Sequence, residues 1–412
     1  MKVAKKFFTV ILCIAIVLST SVISYAKNTE PENKYPLIFV HGMFGWGQDE
    51  GINKIAPYWG GTTGSLMEYL RENNMECYDV SVGPISSAWD NACEVYAQLT
   101  GTTVDYGEAH SKAHGHDRYG RTYEEALVPD WGNGRKIHII GHSHGGQVAR
   151  LLAHLLTHGD SEEINATPGN EISGLFTGGK ENYVESVTTL CSPNNGTTTF
   201  DVADAIYLKP ILETVVNIYA GIMGRSFLNG KLVDFHLEQF GMTCIPGERV
   251  AKDELFSAID KFSKANDSVV IDLSIEGAQK LNEKIEISDN INYFCYTYDC
   301  TSEKLNLPKN FDFFFLAFTS MLIRFYGTPD DSFGIDFDDS WLANDGLVNT
   351  VSAKNPIDEP AKDYDGKIES GIWNVMPTLE GDHGTPIGLF SSEEYVHNFY
   401  NNLTAMLISL EK

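Results

Sequence analysis

Short apolar runs alternate with helical periodicity along this 412-residue chain. Five runs of strand length lie at 35–40, 76–82, 136–140, 184–190 and 292–297. Apolar residues return at helical spacing over 63–72 and 144–158. Because strand and helix signals alternate, we predict an α/β architecture in which helices cover both faces of a mostly parallel sheet.

Two further apolar segments do not fit a sheet. Apolar residues from Leu208 to Met223 repeat at helical spacing, and 311–325 contains six phenylalanines. Each segment suits an ordinary core helix. The alternative is a helical cap over an apolar cleft, because a lid presents apolar faces both to the site and to solvent. We therefore mark about 197–230 and about 301–330 as candidate cap segments.

The apolar run at 136–140 leads directly into a Gly-x-Ser-x-Gly turn, from Gly141 to Gly145, and a helical run follows at once. The small residues of such a turn let the backbone strain until the serine hydroxyl projects from it. A glycine-rich turn without a catalytic role is the plain alternative. The strand, turn and helix in this order favour a nucleophile elbow at Ser143, and with it the α/β-hydrolase fold.

A second glycine-rich loop, 41–47, follows the apolar run at 35–40. In this fold the loop at that place supplies one backbone N–H to an oxyanion, and the residue after the nucleophile supplies another. The predicted donors are therefore the N–H groups of Met43 and His144. The side chains of His142 and His144 flank Ser143 on a tight turn, so we expect both to point away from it.

A serine hydroxyl needs a histidine base and a carboxylate that orients the base. The histidines beyond the helix that follows the elbow are His236, His383 and His397. His383 lies in a loop rich in Gly and Pro, whereas the other two lie in helix-like contexts that suit surface or packing residues. Asp345, at a turn before an apolar stretch, is the candidate acid. The residues that compete with it are Asp336, Asp338 and Asp339.

Three histidines, His110, His114 and His116, lie within seven residues and follow Asp90 by about twenty. Neutral imidazole suits zinc, and a zinc ion closed by four protein ligands is structural rather than catalytic. A solvated loop that happens to be rich in histidine is the alternative. The chain has no Cys-x-x-Cys pair, so histidine and aspartate would be the ligands.

The first 26 residues match a secretory signal peptide: three lysines, an apolar run at 7–18, and a small-x-small cleavage site that ends at Ala26. A membrane anchor is the competing interpretation, but the apolar run is short for a span. We predict a secreted chain, 27–412, that forms one catalytic domain with insertions. The six cysteines of this part allow several disulfide pairings, which the spacing leaves open.

The chain is strongly acidic, with a net charge of −26 that becomes −29 without the three lysines of the signal segment. Such a charge repels nucleic acid and anionic membranes. We therefore expect no nucleic-acid partner. We also expect no stable membrane anchor, since the apolar run at 7–18 is short for a span and a cleavage site follows it.

The sequence resembles a known family in motifs that cover nearly the whole of 27–412. The motifs are His41-Gly42, Asp90-x-Ala92-Cys93, Val104-Asp105-Tyr106-Gly107, His114-Gly115-His116, Gly120-Arg121-Thr122-Tyr123, the elbow, Ser186-Val187-Thr188-Thr189, Asp272-Leu273-Ser274, Asn344-Asp345-Gly346 and Asp382-His383. The family is that of the zinc-containing thermoalkalophilic lipases of Geobacillus and related firmicutes, and clostridial secreted esterases are nearer kin.

Position by position, the resemblance implies a catalytic triad, an oxyanion hole and a zinc site. The triad would be Ser143, Asp345 and His383, and the oxyanion donors Met43 and His144. The zinc ligands would be Asp90, His110, His116 and Asp267, in an insertion at about 84–125 and the segment at Asp267. The family's calcium site uses acidic residues just after the catalytic histidine. Since 384–391 contains no carboxylate, calcium is doubtful here.

These features together predict a secreted serine carboxylic-ester hydrolase, in the first place a triacylglycerol lipase that works through an acyl-enzyme. A short-chain carboxylesterase or polyesterase is the nearest alternative, and the substrate would be an ester or lipid, in some cases at a lipid or polymer surface. A secreted binding protein without catalysis is a more distant alternative, since all three catalytic groups are present. The acyl-chain preference and the oligomeric state stay open at this point.

Overall fold

The computed structural model describes residues 31–411 except 168, 201–231, 233, 243–250, 303–304, 310–313, 327–334 and 336. Glu32–Lys412 forms one compact unit. The predicted signal peptide, most of the first candidate cap segment and Asp336 lie outside the described residues. No helix in the described part of the chain has the length and apolar character needed to cross a membrane.

A parallel sheet of seven strands forms the centre of the molecule. The strands of the described residues are β1 (Leu37–Val40), β2 (Cys77–Val80), β3 (Thr103–Asp105), β4 (Tyr119–Thr122), β5 (Ile137–His142), β6 (Val184–Leu190), β7 (Asn292–Tyr296), β8 (Tyr298–Asp299), β9 (Ala361–Asp363), β10 (Trp373–Val375) and β11 (Leu379–Glu380). The order in the central sheet is β2-β1-β5-β6-β7-β10-β9, and every neighbouring pair runs parallel. Two small sheets pair β8 with β11 in parallel and β3 with β4 in antiparallel.

Helices connect the strands in the usual α/β manner. Those of the described residues are α1 (Leu66–Glu72), α2 (Ala88–Thr100), α3 (Glu108–His114), α4 (His144–His158), α5 (Ser161–Ala166), α6 (Lys252–Ala265), α7 (Val269–Leu273), α8 (Ile275–Lys284), α9 (Phe314–Tyr326) and α10 (Glu393–Ile408). Short 3-10 turns lie at Gly51–Lys54, Gly169–Glu171, Gly174–Thr177, Glu238–Phe240, Asp339–Leu342 and Thr385–Ile387.

The two faces of the sheet bury two separate apolar cores. Ile38 and Val40 of β1 point into a core shared with α2 and α4. Leu37 and Phe39 point to the other face, into a core shared with α1 and α10. Successive side chains of a strand alternate between faces, and a parallel sheet buried on both sides therefore reads as a continuous apolar run. The predicted α/β-hydrolase-type sheet with helices on both faces is confirmed.

The five strand predictions are confirmed, and α4 has the bounds that the periodicity predicts. The second candidate cap segment contains α9. Leu316 and Ile323 of this helix are buried, whereas Phe318 and Phe325 are 45% and 72% exposed. The hydroxyl of Thr319 donates a hydrogen bond to the carbonyl of Gly346, so α9 lies against the loop that carries Asp345. Whether α9 works as a lid stays a prediction.

Glycines bring the strands and α4 unusually close together at the Gly-x-Ser-x-Gly turn. A Cβ on Gly145 would lie 2.2 Å from the carbonyl oxygen of Val40. A Cβ on Gly141 would lie 2.2 Å from the carbonyl oxygen of Gly145. Both distances are far below van der Waals contact, so the first turn of α4 can approach β1 and β5 only with these two glycines.

Replacing Gly145 with alanine should therefore lower the free energy of unfolding by about 1–3 kcal/mol, because the added methyl group must push α4 away from β1. Urea unfolding of the variant and the natural protein measures the difference. An unchanged unfolding midpoint would mean that the backbone contact is looser than the structure has it.

Candidate active site and metal centre

Ser143 lies in a strained turn between β5 and α4. Its φ is 56° and its ψ is −128°, a conformation that a residue with a side chain rarely adopts. Two hydrogen bonds hold the turn: the N–H of Ser143 donates to Leu190 over 2.9 Å, and the N–H of Gly146 donates to the carbonyl of Ser143 over 3.0 Å. Strain of this kind is typical of a nucleophile elbow.

The loop after β1 lies directly against Ser143. A Cβ on Gly42 would be 2.7 Å from the Cβ of Ser143, so the close approach requires glycine there. The carbonyl of Gly42 accepts hydrogen bonds from the N–H of Gly45 at 3.0 Å and from Nδ1 of His41 at 2.9 Å. These two bonds fix the peptide plane between Gly42 and Met43. Since the N–H of a trans peptide points opposite to its C=O, the direction of the Met43 N–H is fixed as well.

Within the part of the chain that the structure describes, neither predicted oxyanion donor uses its backbone N–H in a hydrogen bond. Among the hydrogen bonds of the described residues, none uses the N–H of Met43 or that of His144, whereas the N–H groups of Gly42, Phe44 and Ser143 are all engaged. His41 supports the loop as a neutral imidazole, because burial lowers its pKa to about 4 despite the hydrogen bond to Gly42. Two such N–H groups beside a strained serine can donate hydrogen bonds to a developing oxyanion.

His383 and Asp345 form a buried pair. Nδ1 of His383 donates to Oδ2 of Asp345 at 2.8 Å, and the backbone N–H of His383 donates to the carbonyl of Asp345 at 2.7 Å. The other carboxylate oxygen accepts from the N–H groups of Leu347 and Val348 at 3.0 and 2.8 Å. This arrangement leaves Nε2 of His383 as the atom able to take a proton.

The hydrogen bonds of the described residues include none from His383 to Asp338 or Asp339. Asp338 and Asp339 are exposed, and Asp338 accepts a hydrogen bond from the N–H of Ser340 at the start of a 3-10 turn. Asp336 lies outside the described residues.

The loop of His383 is tied to the elbow through the residue before Ser143. Nε2 of His142 donates to the carbonyl of His383 at 2.9 Å, and the two imidazole rings lie 4.8 Å apart. The hydrogen bonds of the described residues include none between the Ser143 hydroxyl and the His383 imidazole. Such bonds are often long before substrate binds and tighten in the reacting complex.

The other two histidines lie elsewhere. His236 is buried with a φ of 50°, and its Nδ1 is 2.8 Å from Oε2 of Glu94. The expectation of a helical context is wrong for this residue, which precedes the short 3-10 turn Glu238–Phe240. His397 lies on α10 and stacks on Tyr69 at 3.5 Å.

The four predicted metal ligands come together from three separate segments. Asp90 lies in the first turn of α2, His110 on α3, His116 just after α3, and Asp267 between α6 and α7. Their ligand atoms all lie within 4.8 Å of one another. His114, which the resemblance leaves out, donates from Nδ1 to the carbonyl of Ala265 at 3.0 Å.

The spacing of these atoms fits a small four-coordinate metal ion. Nε2 of His110 is 3.1 Å from Oδ2 of Asp267 and 3.4 Å from Oδ1 of Asp90. Nε2 of His116 is 3.6 and 4.0 Å from the same two oxygens. Ligand atoms about 2.0–2.2 Å from a tetrahedral zinc ion are separated by roughly 3.4 Å.

Two of the four ligand atoms are buried without a hydrogen-bond partner in the described structure, Oδ1 of Asp90 and Nε2 of His116. The opposite sides of the same groups are engaged, since Gln239 donates to Oδ2 of Asp90 at 2.8 Å and Nδ1 of His116 donates to the carbonyl of Asp117 at 2.9 Å. Support of this kind orients metal ligands. The residues therefore fit a divalent metal.

The two buried carboxylates of this cluster also require a positive charge nearby. Burial and the neighbouring carboxylate of Asp267 both raise the pKa of Asp90. Burial works against the charged form of His110, but hydrogen bonds and attraction from the two carboxylates outweigh it and raise the pKa to about 9. Two buried carboxylates are thus compensated either by a proton on an imidazole or by a metal ion.

Sequence reasoning missed several polar residues around these two sites. Tyr58 contacts both Gly42 and His142, and Gln239 holds Asp90. Oδ2 of Asp272 lies 3.2 Å from Nε2 of His144. Asp272 is part of a motif quoted for the family resemblance, whereas Tyr58 and Gln239 have no signal in spacing or periodicity.

A family model described as "Lipase-like, C-terminal domain" matches residues 33–412. The lipase of Staphylococcus hyicus is 38% identical over 393 residues, which are 93% of this chain and 59% of that protein. Lipase 1 of Staphylococcus aureus (strain Mu50 / ATCC 700699) is 35% identical over 403 residues, 94% of this chain and 56% of that protein. The chain thus spans less than two thirds of the length of these relatives.

Solved structures of other proteins are similar to this chain over nearly its whole length. The crystal structure of Staphylococcus hyicus lipase has a TM-score of 0.77 and 34% identity, and the match covers 94% of this chain and 99% of that one. EstA from Clostridium botulinum has a TM-score of 0.75 and 35% identity, with 92% and 88% covered. The resemblance drawn from the motifs is confirmed: the chain belongs to the family of lipase-like C-terminal domains.

Proposed function

We propose that this protein is a secreted serine carboxylic-ester hydrolase, and in the first place a triacylglycerol lipase. The observation that carries the proposal is the buried pair of His383 and Asp345, docked through His142 on the strained turn of Ser143. Relatives named lipases at 35–38% identity supply the substrate class. Residues 1–26 would be the signal peptide and 27–412 the catalytic domain.

The proposed reaction is an acyl transfer in two steps. His383 takes the proton of the Ser143 hydroxyl while the oxygen attacks the ester carbonyl, and Asp345 holds the imidazole in the tautomer with the proton on Nδ1. The N–H groups of Met43 and His144 bind the oxyanion, and one such donor typically lowers the barrier by about 3 kcal/mol. The alcohol leaves with the proton from His383, and water activated by the same imidazole releases the acid.

A short-chain esterase is the second candidate, favoured by the similarity to a protein named EstA. The two candidates share the triad and differ in the depth of the acyl pocket. The segments proposed as caps, about 197–230 and about 301–330, would set that depth. An enzyme with a cap that covers a long apolar cleft would prefer long chains.

For Asp90, His110, His116 and Asp267 we propose a structural zinc site. Two imidazoles and two carboxylates complete a four-coordinate shell, which leaves no open position for chemistry. When bound, zinc would compensate the two buried carboxylates and join α2, α3 and the connection between α6 and α7. The insertion at about 84–125 would be fixed to the rest of the domain in this way.

We expect Ser143→Ala to lower the rate of hydrolysis of p-nitrophenyl esters by about 10⁴-fold or more, because the nucleophile is removed. Initial rates on esters of two to sixteen acyl carbons measure this and the chain-length preference. A peak on long chains identifies a lipase, and a peak on short chains identifies the esterase. Serine-independent hydrolysis would contradict the mechanism.

Asp345→Asn should lower kcat by about 10⁴-fold, since the amide holds the wrong imidazole tautomer. Asp338→Asn is the matched control, because Asp338 is exposed and its carboxylate accepts a hydrogen bond from the N–H of Ser340 in its own turn. The control should keep kcat within a factor of about two. Equal losses in the two variants would argue against Asp345 as the orienting acid.

Removal of zinc should lower the melting temperature by about 5–10 °C, because a ligand bound only to the folded state adds stability. Elemental analysis should find about one zinc per chain, lost in His116→Ala and kept in His114→Ala. Calorimetry with and without a chelator measures the shift. Identical melting temperatures, or zinc loss in the His114 variant alone, would overturn the assignment.

A further inference from the structure

A buried chain of hydrogen bonds joins the loop of the proposed oxyanion hole to the loop of the proposed base. The N–H of Gly42 donates to the hydroxyl oxygen of Tyr58 at 2.9 Å. That oxygen lies 2.6 Å from Nδ1 of His142, and Nε2 of His142 lies 2.9 Å from the carbonyl of His383. Three bonds thus connect parts of the chain that are far apart in sequence.

The acceptors fix where each proton sits. A carbonyl oxygen can only accept, so Nε2 of His142 carries the proton that points at His383. Nδ1 of His142 is then an acceptor, and the hydroxyl of Tyr58 donates to it. The same hydroxyl oxygen accepts from Gly42. Every group in the chain is therefore satisfied in one arrangement, with both side chains neutral.

Burial keeps that arrangement. Tyr58 and His142 are 9% and 2% exposed. Burial, and next to it the neighbouring imidazole of His383, lower the pKa of His142 well below its ordinary value. Burial likewise raises the pKa of Tyr58, although the bond from Gly42 works against it. Neither group changes its charge at neutral pH, so the direction of the three bonds is constant.

The two ends of this hydrogen-bonded chain, Gly42 and the carbonyl of His383, lie next to groups proposed to react. Gly42 precedes Met43, and its N–H and C=O both belong to the loop that orients the Met43 N–H. The carbonyl of His383 belongs to the backbone that carries the imidazole, which Asp345 holds only from the Nδ1 side. His142 itself precedes Ser143. A displacement of about 1 Å between such groups can cost a hundredfold in rate.

We propose that Tyr58 and His142 are positioning residues that set the distance between the oxyanion loop and the His383 loop across Ser143. The inference rests on the proposed function and deepens it, because it assigns a role to two residues that touch neither substrate nor the transferred proton. His142, expected from the sequence to be a bystander, becomes the link between the two halves of the site.

The test compares four variants with the natural protein: Tyr58→Phe, His142→Leu, the double variant of these two, and His142→Gln. Phenylalanine removes the hydroxyl, and leucine removes both imidazole nitrogens. Glutamine restores one acceptor and one donor in a planar group of similar spacing. Tyr293→Phe is the matched control, since the buried hydroxyl of Tyr293 accepts from the N–H of Ser288 at 2.9 Å in a segment without proposed catalytic groups.

Each single variant that breaks the chain should lower kcat by about ten- to hundredfold and leave KM within about threefold, because the transition state is bound less well than the substrate. The kcat of the double variant should be no lower than that of the less active single variant, since the effects of residues in one network do not add. His142→Gln should recover most of kcat. Tyr293→Phe should lower the melting temperature without a loss of kcat.

Two results would overturn the proposal. One is a kcat within twofold of the natural value in Tyr58→Phe and His142→Leu, with only the melting temperature lowered as in the control. The other is a double variant whose loss equals the product of the single losses. If Tyr58→Phe fails to fold, the comparison of His142→Gln with His142→Leu decides. Ser143→Ala is measured in parallel. If it stays active, the proposed function fails; if it is inactive, the other variants test only the role of Tyr58 and His142.

Discussion

The strained backbone at Ser143 is the constraint on which the rest of the site depends. A residue with a φ of 56° and a ψ of −128° costs about 1–3 kcal/mol, and it persists only where the surroundings determine it fully. Here the surroundings are close backbone contacts that glycine alone permits, from Gly42 to the serine and from Gly145 to β1. The central sheet and α4 therefore hold Ser143 in this strained conformation.

The groups around Ser143 follow the carboxyl ends of different parallel strands of the central sheet. The loop of Gly42 follows β1, Ser143 follows β5, and Cys191 directly follows β6 with a φ of 52°. Parallel strands end at a common edge, so residues that are distant in sequence meet there. The second cluster, around Asp90 and Asp267, is separate and compensates its own buried charge. The first cluster holds the proposed nucleophile and base, and the second holds the proposed zinc ligands.

The sequence predicts the sheet well and the polar network poorly, for physical reasons. Strands buried on both faces are continuous apolar runs, so β1, β5 and β6 can be recognised from their own sequence, without knowledge of the neighbouring strand. β9, with three residues that are exposed or half-buried, carries no such run and was missed. Spacing could not separate Asp345 from Asp338, because both lie at turns. In the structure, Asp345 is buried and bonds to His383, whereas Asp338 is exposed. Tyr58 lies 84 residues from His142, and no local pattern records that contact.

Ser143 is proposed to be a nucleophile that its surroundings activate. The most direct test is reaction of the natural protein with a p-nitrophenyl alkylphosphonate, followed by intact-mass measurement and peptide mapping. Attack by an activated serine expels p-nitrophenolate and leaves the phosphonyl group on the oxygen. We expect one adduct per chain, on Ser143, with loss of esterase activity in proportion to labelling. A chain that stays unlabelled, or that is labelled on another residue while Ser143 remains unmodified, would contradict it.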